Sequence, residues 1–156
     1  MSGKVEQRLK TLGLTLPGAP APVANYIPAR IAGELLFVSG QISRTADGQL
    51  VAGKLGAGLD VAQGQAAAKL CALAVLAQAK AALGDLDRIV AAVKLLGFVN
   101  SAADFGQQPA VINGCSDLLV EVLGEAGRHA RSAVGVNALP MNAAVEVEAI
   151  FQISKA

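Results

Sequence analysis

The segment "AAVEVEAIFQIS" near the C-terminus constrains the fold more than any other. Val145, Val147, Ala149, Phe151 and Ile153 alternate with Glu146, Glu148, Ile150, Gln152 and Ser154. Successive side chains of a strand point to opposite faces, so a period of two over ten residues describes a half-buried β-strand. A helix would mix the two sets on every face. The chain must therefore build a sheet with one covered side, with the valines, Ala149, Phe151 and Ile153 beneath the helices and both glutamates opposite. Just upstream, "RSAVGVNA" alternates too and places Arg131, Ala133, Gly135 and Asn137 on one face. "LPMN" between the two segments reads as a hairpin connection, which would set the last two strands side by side.

The rest of the chain supplies elements to pack on that sheet. Ser2 is positioned to cap a short helix carrying Val5, Leu9 and Leu12 on one side and ending at Gly13. The prolines of "LPGAPAP" exclude a helix and make an extended connector. "NYIPARIAGELLFVSGQI" reads as two strands around a turn at residues 32–34, the second running from Leu35 to Ile42. Asp47–Gly48 signals a tight turn. "AGKLGAGLD" is a glycine-rich loop without the spacing of a phosphate-binding turn. From Val61 to Leu83 the pattern is helical, with Leu70, Leu73, Ala74, Ala77 and Ala81 on one face and Gly84 as the stop. Residues 88–100 form an apolar, buried strand. A second long helix begins near Pro109, buries Val111, Cys115, Leu118, Leu119 and Val122, and closes at Gly124 and Gly127. The order is β-β-α-β-α-β-β after a short N-terminal helix. This is one α/β (α+β) domain over residues 1–156, with 1–22 as helix and proline-rich lead-in and 23–154 as core.

Composition narrows the function classes. Net charge is +1, and neither a basic stripe nor a set of stacking aromatics offers a nucleic-acid surface. Only 16% of the residues are charged, which suggests that part of the surface is covered by another subunit. The polar N-terminus does not resemble a signal peptide, and no membrane span is expected, so a cytoplasmic location follows. Cys71 and Cys115 read as buried thiols, and one histidine without a Cys/His cluster makes a metal site improbable.

The candidate chemistry centres on Arg131. A guanidinium offers a rigid fork of donors that matches a carboxylate, and Ala133 and Gly135 on the same face leave a hollow beside it. Across the expected hairpin, Glu146 or Glu148 would lie opposite. Cation, carboxylate and hollow make a small-anion site; the alternative is a cross-strand Arg–Glu pair on a wet face. His129 is either a base or a solvated loop residue. Ser39 has no His–Asp partner set. Tyr26 reads as a packing residue with its hydroxyl at a rim.

The stretches "ARSAVGVNALPMNAAVEVEAI" and "LLFVSGQI", with Tyr26 thirteen residues before Ser39, resemble the YjgF/RidA family of reactive-intermediate (imine) deaminases from about Val23 to Ser154. The resemblance implies a chorismate-mutase-like fold, with two helices on one face of the sheet, in a homotrimeric barrel whose pockets lie between subunits. It also implies hydrolysis of 2-imino or enamine acids to 2-keto acids and ammonia without a cofactor. By position it makes Arg131 the carboxylate receptor and Glu146 the pocket glutamate, the two catalytic candidates. Tyr26, Ser39, Gly40 and Ala133 complete the substrate-binding set. The chain departs from archetypal members at Ala133, Gly135 and His129. A non-catalytic 2-keto acid-binding trimer and an endoribonuclease or translation-inhibitor role are the alternatives.

Overall fold

The computed structural model describes residues 3–155. The expected order of elements is present. Helix α1 (Lys4–Thr11) precedes strands β1 (Ala29–Ala32) and β2 (Leu35–Ile42). Two short parallel segments, β3 (Lys54–Leu55) and β4 (Gly58–Leu59), stiffen the glycine-rich loop. Helix α2 (Val61–Leu83), strand β5 (Ile89–Asn100), helix α3 (Gln108–Leu123) and strands β6 (Ala130–Val136) and β7 (Val145–Ile153) follow.

Helix α1 has Gly3 at its N-cap, which supplies no side-chain cap; Ser2, the expected cap, lies outside the described residues. Its first amides are satisfied from far along the chain instead. The Lys4 and Val5 N–H groups each donate to the Asp87 carboxylate at 2.8 Å. Those two bonds, Val5 first, hold the Asp87 carboxyl below its usual range. Leu9 is buried and Glu6 pairs with Lys80 at 2.7 Å, so α1 is strapped to the body of the domain.

Helix α2 opens with a reciprocal cap. The Gln63 N–H donates to Asp60 Oδ1 (2.8 Å), and Gln63 Oε1 accepts from the Asp60 N–H (2.9 Å). Its buried face is not the expected one. Gly64, Ala67, Ala68, Cys71, Ala72, Val75, Leu76, Ala79 and Leu83 face the core along with Ala77, whereas Leu70, Leu73 and Ala74 are only partly covered and Ala81 is exposed. The helix is alanine-rich nearly all round, so periodicity alone cannot choose a side. Packing chooses it: α2 lies against β2 and β7 of the sheet and, alongside, against α3, which itself covers β5 and β6. By length and composition α2 could cross a membrane, but 61% of its most apolar window is buried within the domain. The α3 face is as expected, with Val111, Cys115, Leu118, Leu119 and Val122 buried and Ile112 added to them. The two helices approach closely at Gly114, where a Cβ would stand 2.2 Å from the Gln65 carbonyl oxygen.

The five-stranded sheet has the order β1-β2-β7-β5-β6. Strand β7 sits at its centre with Val145, Val147, Ala149, Phe151 and Ile153 buried under the helices, Glu146 half-buried and Glu148 exposed on the other face. That register is the expected one. The hairpin is not. Strand β5 lies between β6 and β7, antiparallel to β7 and parallel to β6. Parallel neighbours need a long crossover, and α3 supplies it, so β6 returns beside β5 and β7 must pair with β5 on its other side. The "LPMN" link forms a short 3-10 turn in which Met141 (φ 56°) and Asn142 (φ 60°) are left-handed. The buried Asn100 amide holds this turn by donating to Asn142 Oδ1 (3.0 Å), Ala143 O (3.1 Å) and Gly53 O (3.1 Å), while Lys54 Nζ donates to Asn100 Oδ1 at 2.7 Å.

Strand β5 is covered on one face only. Leu95, Gly97 and Val99 are buried, whereas Lys94, Leu96 and Phe98 are half-buried on the open side. It reads as a buried strand because the open face is itself rich in apolar residues. Phe37 (41% exposed) and Val134 (42%) stand on that face with Ile150 and Phe98. An apolar sheet face of this kind is a surface suited to a partner.

Candidate functional site

One half of the site forms where β2 bulges against β7. Between Val38, opposite Ala149, and Gln41, opposite Val147, strand β2 advances one residue more than its partner. The extra residue re-aims Ser39 and Gly40. The Ser39 N–H donates to Pro28 O (2.8 Å) and its hydroxyl to Ile27 O (3.2 Å), tying the strand to the segment that carries Tyr26. Tyr26 is 54% exposed. Gly40 packs directly on Glu146, for a Cβ there would stand 2.1 Å from Glu146 Oε1 and 2.9 Å from its carboxyl carbon. A side chain of any size at position 40 would displace the carboxylate. Burial raises the Glu146 carboxyl above its ordinary range, and the neighbouring Glu148 adds to this. Among the described residues no cation pairs with Glu146. A half-buried carboxyl with a raised pKa and one open side suits proton transfer to or from a bound water.

The other half lies at the far edge of the sheet. Arg131 on β6 does not pair with a glutamate; it turns towards α3. Its Nη1 donates to Asn113 Oδ1 (2.8 Å) and Ser116 Oγ (3.2 Å), and Nη2 donates to the Pro109 carbonyl (3.3 Å). A guanidinium has five N–H donors. Three are engaged, which leaves Nε–H and one hydrogen of Nη2, on the two nitrogens that share an edge of the plane. With the Pro109 carbonyl on the Nη2 hydrogen nearer Nη1, that edge would be the bidentate fork that fits a carboxylate. The hollow expected beside it is filled. Ala133 packs against the core, and the space above Gly135 holds Ser101 Oγ and Gln108 Nε2, 2.7 and 2.8 Å from where a Cβ would stand. His129 is not a solvated loop residue, since both ring nitrogens are hydrogen-bonded.

The two halves do not meet within one chain. Glu146 aligns with Phe98, and Phe98 with Val134, three residues from Arg131. Two strand spacings and three residues along a strand separate the Cα atoms by roughly 14 Å. The side chains also point to opposite faces, Glu146 to the open face and Arg131 to the helix side. The structure thus brings together Gly40, Ser39 and Glu146, with Tyr26 on the adjoining segment, and holds Arg131 and Ala133 apart from them. A groove of about 560 Å³ between α1 and the end of α3, and one of about 220 Å³ between α2 and α3, involve none of these residues.

Asn113 and Ser116 were missed in the sequence. Their signal was nonetheless present: Pro109, Asn113 and Ser116 stand at i, i+4 and i+7, a stripe along one side of α3 next to its apolar face. The cysteines lie in the core, where burial raises both thiols, Cys115 to about 12, so neither serves as a nucleophile at neutral pH.

Comparison with known proteins agrees with this architecture. The family described as "YjgF/chorismate mutase-like, putative endoribonuclease" matches residues 6–152. Protein TCP17 of Trypanosoma cruzi is 51% identical over 154 residues, covering 98% of this chain and 96% of its own. The crystal structure of Atu1372 from Agrobacterium tumefaciens is 52% identical and superposes with a TM-score of 0.89, over 97% of this chain and 94% of that one. That of Escherichia coli TdcF with bound serine is 26% identical, with a TM-score of 0.60 over 89% and 94% of the two chains. The chain belongs to the YjgF/chorismate mutase-like family.

Proposed function

We propose that this protein hydrolyses 2-imino acids, or their enamine tautomers, to 2-keto acids and ammonia. The observation that carries the reading is the Arg131 guanidinium, anchored through Nη1 to Asn113 and Ser116 with Nε–H and one Nη2 hydrogen left over to form a fork. Such a fork takes the substrate carboxylate in one orientation and so fixes the position of the imine carbon. Glu146 is the proton-transfer partner. Its carboxylate takes a proton from water as oxygen bonds to the imine carbon, and the proton passes to the nitrogen of the tetrahedral adduct. A second proton then passes from the hydroxyl of the adduct, again by way of the Glu146 carboxylate, to the amine nitrogen; the C–N bond breaks, ammonia leaves, and the former hydroxyl oxygen becomes the carbonyl of the keto acid. The serine bound to the related TdcF is a small α-substituted carboxylate of the class this fork would hold.

Because Arg131 and Glu146 stand far apart in one chain, a site using both draws them from two copies. The apolar open face of the sheet favours self-association, and a homotrimer closed around these faces would seat the β6 edge of one subunit near the Gly40–Glu146 corner of the next. Two measurements test the reading. Imines generated from Ser, Thr, Leu or Met in the presence of semicarbazide should give less trapped product when the protein is added, and light scattering at micromolar concentration should give three times the chain mass. A monomer would remove the shared site. A trimer that binds 2-keto acids without accelerating imine hydrolysis would leave a binding protein.

A further inference from the structure

His129 is the single histidine of the chain, and its ring is held at both ends. Nδ1 lies 2.6 Å from the Gly127 carbonyl oxygen, and Nε2 lies 2.9 Å from Ser116 Oγ. A carbonyl only accepts, so Nδ1 carries the hydrogen. The neutral ring then offers Nε2 as an acceptor, and the Ser116 hydroxyl donates to it. The hydroxyl rotor is thereby fixed. With its hydrogen committed to His129, Ser116 Oγ turns its lone pairs to Arg131 Nη1, which donates at 3.2 Å. The end of the relay is rigid. Gly127 is buried against the backbone of α3, where a Cβ would stand 2.3 Å from the Leu119 carbonyl oxygen.

We propose that Ser116 and His129 are positioning residues: through a one-way chain of hydrogen bonds from Arg131 to Ser116, His129 and the Gly127 carbonyl, they hold the guanidinium with its Nε/Nη2 edge turned outward to receive the substrate carboxylate. This rests on the reading of Arg131 as the carboxylate receptor. The remaining Nη1 tether, Asn113, is on the exposed side of α3, so Ser116 is the more sheltered of the two anchors. Without an acceptor at His129 Nε2, the hydroxyl hydrogen has no fixed partner, the rotor is no longer held with its lone pairs on Arg131, and the anchor is weakened.

The test uses the whole protein, isotope-labelled, at pH 8. Nitrogen NMR should find His129 as the Nδ1–H tautomer, and Arg131 with hindered rotation of its guanidinium. Ser116→Ala and His129→Leu should release that rotation and weaken pyruvate binding about five- to tenfold, the size of one ordinary hydrogen bond. Ser116→Thr keeps the hydroxyl, and His129→Gln places an amide oxygen where Nε2 stood. Both should retain hindered rotation and affinity, a rescue that a merely structural role for the pair would not produce. An Nε2–H tautomer in the wild type, or unchanged Arg131 rotation in both Ser116→Ala and His129→Leu, would overturn the proposal. Wild-type protein that shows the relay in these spectra but takes up no pyruvate would instead refute the carboxylate reading and leave the relay standing.

Discussion

The contact between Gly40 and Glu146 allows the role of the glutamate to be tested without touching it. In Gly40→Ala the new methyl would lie 2.1 Å from Oε1 and 3.1 Å from Cγ of Glu146. Comfortable separation for such atoms is about 3.5 Å, so the carboxylate must retreat by more than about 1 Å. Gly40 has an ordinary negative φ, and the obstructed group is the end of a flexible side chain, so the fold can yield. Rotating the glutamate off its preferred torsions costs on the order of 0.5–1.5 kcal/mol. For a domain of this size that lowers Tm by roughly 1–5 °C. Activity should suffer far more. A catalytic group displaced by 1 Å loses about 100-fold, and a general base contributes about 10²–10⁴ in all. We therefore expect kcat for imine hydrolysis to fall about 100-fold in Gly40→Ala, with KM little changed because Arg131 is untouched. Glu146→Gln sets the floor. The double variant should be no slower than Glu146→Gln alone, since both changes act on one carboxylate. Semicarbazide trapping reads the rates, and calorimetry reads Tm. Wild-type turnover in Gly40→Ala would refute the assignment, because the carboxylate would then be working from somewhere other than its seat over Gly40.

Four further outcomes follow from the geometry. Arg131→Ala should weaken 2-ketobutyrate binding by roughly 30- to 1000-fold, the loss of two charge-assisted hydrogen bonds, and Arg131→Lys should restore little of it because an ammonium lacks the planar fork; titration calorimetry on each variant measures this. Turnover should fall on the acid side with a midpoint above the ordinary glutamate value of about 4.3, since burial and Glu148 raise Glu146, and this limb should vanish in Glu146→Gln. Asp87 behaves in the opposite sense: its folded-state pKa is depressed, so its support of α1 is complete above the unfolded value of about 3.9 and is lost as pH falls through the lower folded value. Proteolysis near the N-terminus should therefore quicken in acid for the wild type, and at all pH values for Asp87→Asn. Gly114→Ala forces a methyl against the Gln65 carbonyl at the helix crossing, a backbone contact that cannot swing away, and should lower stability by about 1–3 kcal/mol in denaturant unfolding.

The one-dimensional pattern carried everything that depends on spacing along a single element. Alternation in residues 145–153 placed each side chain of β7 on the correct face, because a pleated strand enforces a period of two whatever surrounds it. The α3 face was legible for a similar reason, since its apolar residues form one stripe between polar ones. In α2, where alanines run all round, the same reasoning chose the wrong face, and only the packing of sheet and α3 selects Cys71, Val75 and Leu76 over Leu70 and Leu73. The pairing of strands was equally hidden. Two alternating segments joined by "LPMN" look like a hairpin, yet β5 stands between them, because a parallel β5–β6 pair closed by α3 leaves β7 only the other side of β5. That one topological fact decides the site. It moves Arg131 about 14 Å from Glu146 and to the opposite face, gives it Asn113 and Ser116 as neighbours, and leaves Glu146 against Gly40. Residue types and their local geometry are written along the chain. Which of them meet is set by long-range pairing, and no local period encodes that.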